Sequence, residues 1–202
     1  IWYIRGYKYA GVNTETGAPT YYNKDGEVVD AVTEDDLQYI GQTIPDVTYG
    51  ITLNLAYKGF DLVVFGTGAA GNDIVSMLYN ADRPRTNTLT HYWTNSWKQP
   101  GDNTRYPKMM TVANDWKFWS SSASVYSGNY FKIKQLQLGY TLPRKFTQKF
   151  LVNNFRVYVS LDDFFTFSNY PGMDPETAAN SGFDAGTYPT MRRAVFGVNI
   201  TF

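Results

Sequence analysis

The chain carries RRAVFGVNITF at Arg192–Phe202, a run in which Ala194, Phe196, Val198, Ile200 and Phe202 alternate with Arg193, Val195, Gly197, Asn199 and Thr201. Successive side chains of a strand point to opposite faces, so one face is wholly apolar and ends on an aromatic residue. The other face is mostly small or polar. A membrane-crossing strand needs about 9–11 residues, lipid-facing and lumen-facing side chains in alternation, and aromatics at the interface. The run therefore predicts the closing strand of a transmembrane β-barrel.

Composition points the same way. Among 202 residues there are 17 Tyr, 13 Phe, 5 Trp and 17 Gly, while the charged share is 18%, below the usual ~25%. Aromatic-rich, glycine-rich, charge-poor chains suit β architecture with many turns. Eighteen basic and eighteen acidic residues cancel, so nothing argues for a nucleic-acid partner. Cysteine is absent, which removes disulfides and thiolate metal sites. No run approaches the ~18 apolar residues of a transmembrane helix. Because Ile1-Trp2-Tyr3-Ile4 already reads as strand, the chain is expected to be a carboxy-terminal fragment.

Six segments read as strands: Ile1–Ala10, Thr48–Tyr57, Phe60 to about Gly66, Tyr130–Leu142, Phe155 to about Phe164, and the terminal run. In the second, Tyr49, Ile51, Leu53, Leu55 and Tyr57 form an apolar face bounded by tyrosine at both ends. That pattern matches a lipid face between two aromatic girdles. In the fourth, Leu136, Leu138, Tyr140 and Leu142 share a face. Connections run long, short, long, short, long: 11–47, 58–59, 67–129, 143–154 and 165–191, with one helical turn expected around Phe146–Leu151. Outer-membrane barrels alternate short periplasmic turns with long extracellular loops.

Several stretches resemble one family. Ile40-Gly41-Gln42-Thr43-Ile44-Pro45, Tyr49-Gly50 and Tyr57-Lys58-Gly59-Phe60-Asp61-Leu62 are similar to the opening signature of the SusC/RagA TonB-dependent transporters. Trp93–Pro107 (WTNSWKQPGDNTRYP) resembles that family's W…RYP loop. Tyr130–Lys134 with Leu138-Gly139-Tyr140-Thr141-Leu142-Pro143, Gly172-Met173-Asp174-Pro175-Glu176, and Tyr188-Pro189 through Phe202 complete a collinear set. The resemblance implies the carboxy-terminal part, about six strands, of an antiparallel transmembrane β-barrel of about 22 strands. It implies a plug and a TonB-contacting segment upstream, in the outer membrane of a Gram-negative bacterium. It also implies a SusD-like surface lipoprotein as lid and import of glycans or oligosaccharides. A peptide-importing member of the same family, or a soluble carbohydrate-binding β-sandwich, is the alternative. No cofactor and no enzymatic activity are expected.

Other constellations take plainer readings. Gly66-Thr67-Gly68-Ala69-Ala70-Gly71 spells GxGxxG after a strand, but a dinucleotide fold also needs a helix, a parallel strand and an acid some 20 residues on. Asn72–Tyr79 has helical potential, yet a flexible glycine loop at the barrel rim is the expectation. Asp35-Asp36, Asp162-Asp163 and Asp174 with Glu176 are acidic pairs without the defined separation that glycoside hydrolysis requires; a lumen-facing or rim position is expected for Asp162. His91 is the only histidine, which excludes a multi-histidine zinc site. Ser120, Ser121, Ser122 and Ser124 read as a mobile loop.

Trp93, Trp97, Trp116 and Trp119, with Tyr92, Tyr106 and Tyr126, gather in one expected extracellular loop. Exposed aromatics stack on sugar rings or anchor a lid, whereas a long loop also needs a core of its own, and packing is the favoured reading. Trp93, Trp97, Arg105, Tyr106, Trp116 and Trp119 are thus the candidates for substrate or partner contact, with Arg105 expected to pair with a loop acid. Phe196, Val198, Ile200 and Phe202 mark the barrel-closing strand.

Overall fold

The computed structural model describes residues 3–76, 90–109, 112–179 and 182–202. In chain order its strands are β1 (Tyr3–Gly6), β2 (Lys8–Val12), β3 (Pro19–Tyr22), β4 (Val28–Val29), β5 (Gln38–Gln42), β6 (Val47–Tyr57), β7 (Phe60–Ala70), β8 (Asp73–Ser76), β9 (Val125–Ser127), β10 (Tyr130–Thr141), β11 (Asn154–Ser168), β12 (Phe183–Asp184) and β13 (Arg193–Thr201). Helices are short: α1 (Thr90–Thr94), α2 (Val112–Trp119), α3 (Arg144–Thr147) and α4 (Pro175–Ala179). No described helix is long and apolar enough to cross a membrane. Two compact units are present. One comprises Asp46–Ala70, Asn129–Asn169 and Pro189–Phe202; the other comprises Ile1–Pro45, Gly71–Gly128 and Tyr170–Tyr188.

The first unit is a five-stranded antiparallel sheet in the order β13-β11-β10-β7-β6. Its register joins Leu55, Leu62, Leu138, Val159 and Phe196 into one row across all five strands. Leu53, Val64, Leu136, Leu161 and Ala194 make the next row, and Tyr57, Phe60, Tyr140, Val157 and Val198 another. The alternation within each strand is thus in phase across the sheet, which gives one continuous apolar face. This face is exposed, with Phe196 at 83% and Phe202 at 81%. Such exposure contrasts with the inner face of a soluble sandwich, which a second sheet covers.

The β6–β7 connection is the two-residue turn Lys58-Gly59, at φ 48 and 89. Positive φ at both central residues is the hairpin geometry whose twist matches the flanking strands. At that same end, 142–153 joins β10 to β11 through α3 and a 3-10 turn, Gln148–Phe150, so the helical turn begins earlier than Phe146. At the other end the chain leaves for its long segments.

β7 and β11 run further than the alternation suggested. Gly66, Gly68 and Ala69 are strand residues rather than a glycine loop. A Cβ at Gly68 would fall 2.4 Å from Tyr49 Cζ, and one at Gly66 would fall 2.6 Å from Phe131 Cζ. The glycines make room for Tyr49 and Phe131, whose rings stack at 6.1 Å and 5°, with Phe167 continuing the row at 6.4 Å. After Gly71 comes strand β8 rather than the helix a dinucleotide fold needs; 77–89 lie outside the described residues.

The second unit corrects two further expectations. Ile1–Ala10 is not a sixth wall strand: β1 pairs with β5 and β2 with β3 inside this unit, and Ile1 and Trp2 lie outside the described residues. The apolar bulk shifts parity between Ile4 and Tyr7, so no single face runs through the segment. Tyr7 instead joins Tyr21 and Val32 in a small core. The long connection 67–129, which reads in the sequence as irregular, also carries strands and core residues among its described residues. Ile74, Tyr106, Phe118, Ala123, Tyr126, Tyr170 and Ala178 form a second core, and β12, β8 and β9 form a sheet.

Candidate functional site

The sheet offers two chemically opposite faces. On the apolar side, aromatics cluster at both ends: Tyr49, Phe131 and Phe167 at one, and Tyr57, Phe60 and Tyr140 at the other, with Phe60 and Tyr140 4.5 Å apart. Strands of 11 and 12 residues in β6, β7 and β10 are long enough to cross a bilayer. Phe196, Val198 and Ile200 lie on this face in β13, and Phe202 follows that strand directly.

The polar side carries ion pairs. Arg156 Nε donates to Asp61 Oδ1 at 2.9 Å, and its Nη2 donates to Asp61 Oδ2. The pair reaches across β10 at Gly139, where a Cβ would fall 2.4 Å from Arg156 Nη2. The Arg156 guanidinium also sits 4.9 Å from the Tyr158 ring, and that ring lies over Gly197. Nearer the long-loop end, Ser160 Oγ donates to Asp162 Oδ1 at 2.7 Å, which places Asp162 on the polar face as expected.

A bulge re-aims the neighbouring acid. Ile133 pairs with Phe165 and Gln135 with Asp162, leaving Lys134 opposite both Asp163 and Phe164. Asp163 takes φ 53, a left-handed conformation that Asp tolerates better than most residues. Its Oδ1 accepts from Lys134 Nζ at 2.9 Å and lies 3.8 Å from Lys132 Nζ. Strict alternation from Leu161 would have put this carboxylate on the apolar face; the bulge turns it away. Lys132 is 2% exposed, and a charge so buried requires such a partner. The sequence marks Asp163 only as half of an acidic pair with Asp162; its pairing with Lys132 and Lys134 was not legible there, because no spacing rule reveals a bulge.

In the loop unit the candidate residues separate into two groups. Tyr106 is fully buried, its hydroxyl 2.5 Å from that of Tyr126, and Trp119 packs against the same core. Trp97 donates Nε1–H to Thr14 O at 2.9 Å and lies on Gly17. By contrast Trp93 and Trp116 are 55% and 52% exposed. Arg105 is exposed and lies over rings, 4.8 Å from Tyr126 and 5.6 Å from Tyr106, with no acid paired to it among the described residues. The side chain of His91 lies outside the described residues.

The serines are not a mobile loop. Ser121 Oγ donates to Phe118 O and accepts from Ala123 N, while Ser124 Oγ donates to Trp119 O at 2.9 Å. Both are buried; Ser121 caps the 3-10 turn Ser122–Ser124 at its start, and Ser124 is the last residue of that turn. Asp174 Oδ1 accepts from Glu176 N at the start of α4. Asp36 accepts from Thr33 N at 2.8 Å, Thr33 Oγ1 at 3.0 Å and Lys24 N at 3.0 Å. The Thr33 and Lys24 amides hold its carboxyl below the usual carboxylate range.

A sheet with one continuous apolar exposed face, aromatic ends and a charged opposite face is a transmembrane β-barrel wall. No family model matches the chain. It is 29% identical to TonB-dependent receptor P3 of Formosa agariphila, over 98% of this chain and 22% of that protein. TonB-dependent receptor P39 of the same organism is 26% identical over 98% of the chain, and TonB-dependent receptor SusC of Bacteroides thetaiotaomicron is 24% identical over 97%. The chain thus spans about a fifth of these relatives' lengths, 22%, 20% and 19%. Structures described as the RagAB peptide importer in the open-open state and the RagAB peptide transporter superpose with TM-scores of 0.77 and 0.78, each at 21% identity over 98% of the chain and 22% of theirs. Along nearly its whole length the chain is thus similar in sequence to TonB-dependent receptors, SusC among them, and in fold to the RagAB structures.

Proposed function

We propose that this chain supplies wall strands, the closing strand and outer loops of a TonB-dependent importer in the outer membrane of a Gram-negative bacterium. The observation that carries the reading is the in-phase apolar face across five strands. Such a face is stable in lipid and costly in water. The rest of the barrel, the plug and the segment that meets the TonB complex belong to sequence upstream of these residues. No bond is made or broken. Glycans or oligosaccharides are bound by lumen and loops beneath a SusD-like lipoprotein, and energy-coupled plug rearrangement moves them inward. The exposure of Trp93, Trp116 and Arg105 supports the reading that these loop residues touch substrate or lid.

Peptide import is the alternative, because similar folds occur in structures described as a peptide importer. The test is accumulation of labelled oligosaccharides and labelled oligopeptides by cells with and without the intact receptor, and with and without TonB. Oligosaccharide uptake that needs both supports the proposal. Receptor-dependent peptide uptake would select the alternative, and no receptor-dependent uptake of either would overturn the import reading.

A further inference from the structure

The short-turn end of the sheet differs in charge from the rest of the chain. The turn 142–153 reads LPRKFTQKFLVN and the adjoining hairpin turn is Lys58-Gly59, so Lys58, Arg144, Lys145 and Lys149 stand there with no Asp or Glu in either turn. In a chain whose acids and bases balance overall, this local excess is distinctive. All four cations are exposed, and none pairs with an acid among the described residues. The nearest carboxylate in the adjoining strand, Asp61, is committed to Arg156.

The two turns form one rim. Thr141 N donates to Gly59 O at 2.8 Å, which ties the hairpin turn to the end of β10. Asn153 N donates to Thr201 O at 2.8 Å, which ties the far side of the turn to β13. Between these ties, Thr147 is buried, its Oγ1 donating to Arg144 O at 3.3 Å. Apolar side chains project among the cations: Phe146 is exposed, and Leu151, at φ 56, is 87% exposed. Lys145 Nζ lies 5.2 Å over the Phe146 ring and Lys58 Nζ lies 5.1 Å over Tyr57. Tyr57, Phe60 and Tyr140 end the apolar face directly beside the rim.

We infer that this rim binds anionic phospholipid head groups: Lys58, Arg144, Lys145 and Lys149 take lipid phosphates while Phe146 and Leu151 enter the acyl boundary. Charge complementarity selects an anionic occupant, and continuity with the lipid-facing band selects a membrane lipid over a soluble ion. Lys and Arg carry their charge to the interface while their stems and neighbouring rings stay in the apolar layer. Each basic residue near an anionic leaflet adds to the attraction. The turn thereby fixes the depth of the wall in the bilayer. The inference rests on the proposed outer-membrane location.

The experiment uses the intact receptor, purified in detergent, stripped of lipid and placed in bilayers of phosphatidylglycerol or phosphatidylcholine, with retained lipid read by native mass spectrometry. The native protein is expected to retain phosphatidylglycerol about tenfold over phosphatidylcholine. The variant Lys58→Gln/Arg144→Gln/Lys145→Gln/Lys149→Gln is expected to lose that preference while keeping the heat-modifiable gel mobility of a folded barrel. If the fourfold variant does not fold, Lys149→Gln and Lys58→Gln alone are each expected to show partial loss. Undiminished preference in folded variants, or displacement of the lipid by inorganic phosphate, would overturn the inference. Recovery of the receptor outside the membrane would instead overturn the proposed location, so the two failures are distinguishable.

Discussion

Arg156 and Asp61 join β11 to β7 through a two-pronged ion pair that passes over β10 at Gly139. Two residues 95 positions apart thereby lock three strands on the lumen side. The fork geometry of arginine suits this span, because both carboxylate oxygens are engaged in one plane. Both side chains are partly exposed, so solvent screens the pair. Asp61→Ala is expected to destabilise the folded receptor by about 1 kcal/mol. Gly139→Val is expected to match or exceed this loss, since its Cβ would meet both charged groups. Urea unfolding of the reconstituted barrel measures both, and an Asp61→Ala/Arg156→Ala double variant should lose less than the sum of the singles.

Leu53 and Asn54 are neighbours on opposite faces of β6. Leu53→Arg is expected to cost about 2–4 kcal/mol if the residue sits near the bilayer midplane. Asn54→Arg, pointing to the lumen, is expected to cost less than about 0.5 kcal/mol. Refolding into lipid vesicles, followed by heat-modifiable mobility, separates the two. Equal effects would mean that the apolar face does not meet lipid.

The Asp36 carboxylate has a pH signature. Its folded pKa is depressed by the Thr33 and Lys24 amides, so its stabilising contribution is present above the unfolded value, about 3.9. That contribution is lost as pH falls through the lower folded value. Amide hydrogen exchange across residues 23–37 of the intact receptor should stay slow as pH falls towards about 4 and, after correction for intrinsic rates, quicken below it. Asp36→Asn should show the quickened exchange at neutral pH and no acid transition.

The loop aromatics predict a split between folding and uptake. Tyr106→Ala removes a fully buried ring and is expected to cost about 3–5 kcal/mol, seen as loss of protease resistance in the loop unit. Trp93→Ala and Trp116→Ala, at exposed positions, should leave that resistance intact and lower uptake or lid affinity. An unchanged uptake rate in both would remove these two rings from the contact surface.

The period-two alternation at Thr48–Tyr57, Tyr130–Leu142 and Arg192–Phe202 was by itself enough to mark three of the five wall strands and their apolar face, because pleat geometry is local and each residue declares its face through its neighbours. Lys58-Gly59 likewise announced its turn, since positive φ at two adjacent positions is a local demand. Tertiary structure alone decided the rest. Asp163 escapes the lipid side only through a bulge set by pairing with β10. Gly139 and Gly197 are glycines because Arg156, Asp61 and Tyr158 arrive from other strands. Which tryptophans pack and which stay exposed depends on contacts such as Trp97 with Thr14, 83 positions apart. A core assembled from such distant pieces leaves no periodic trace, whereas a strand in lipid leaves one at every second residue.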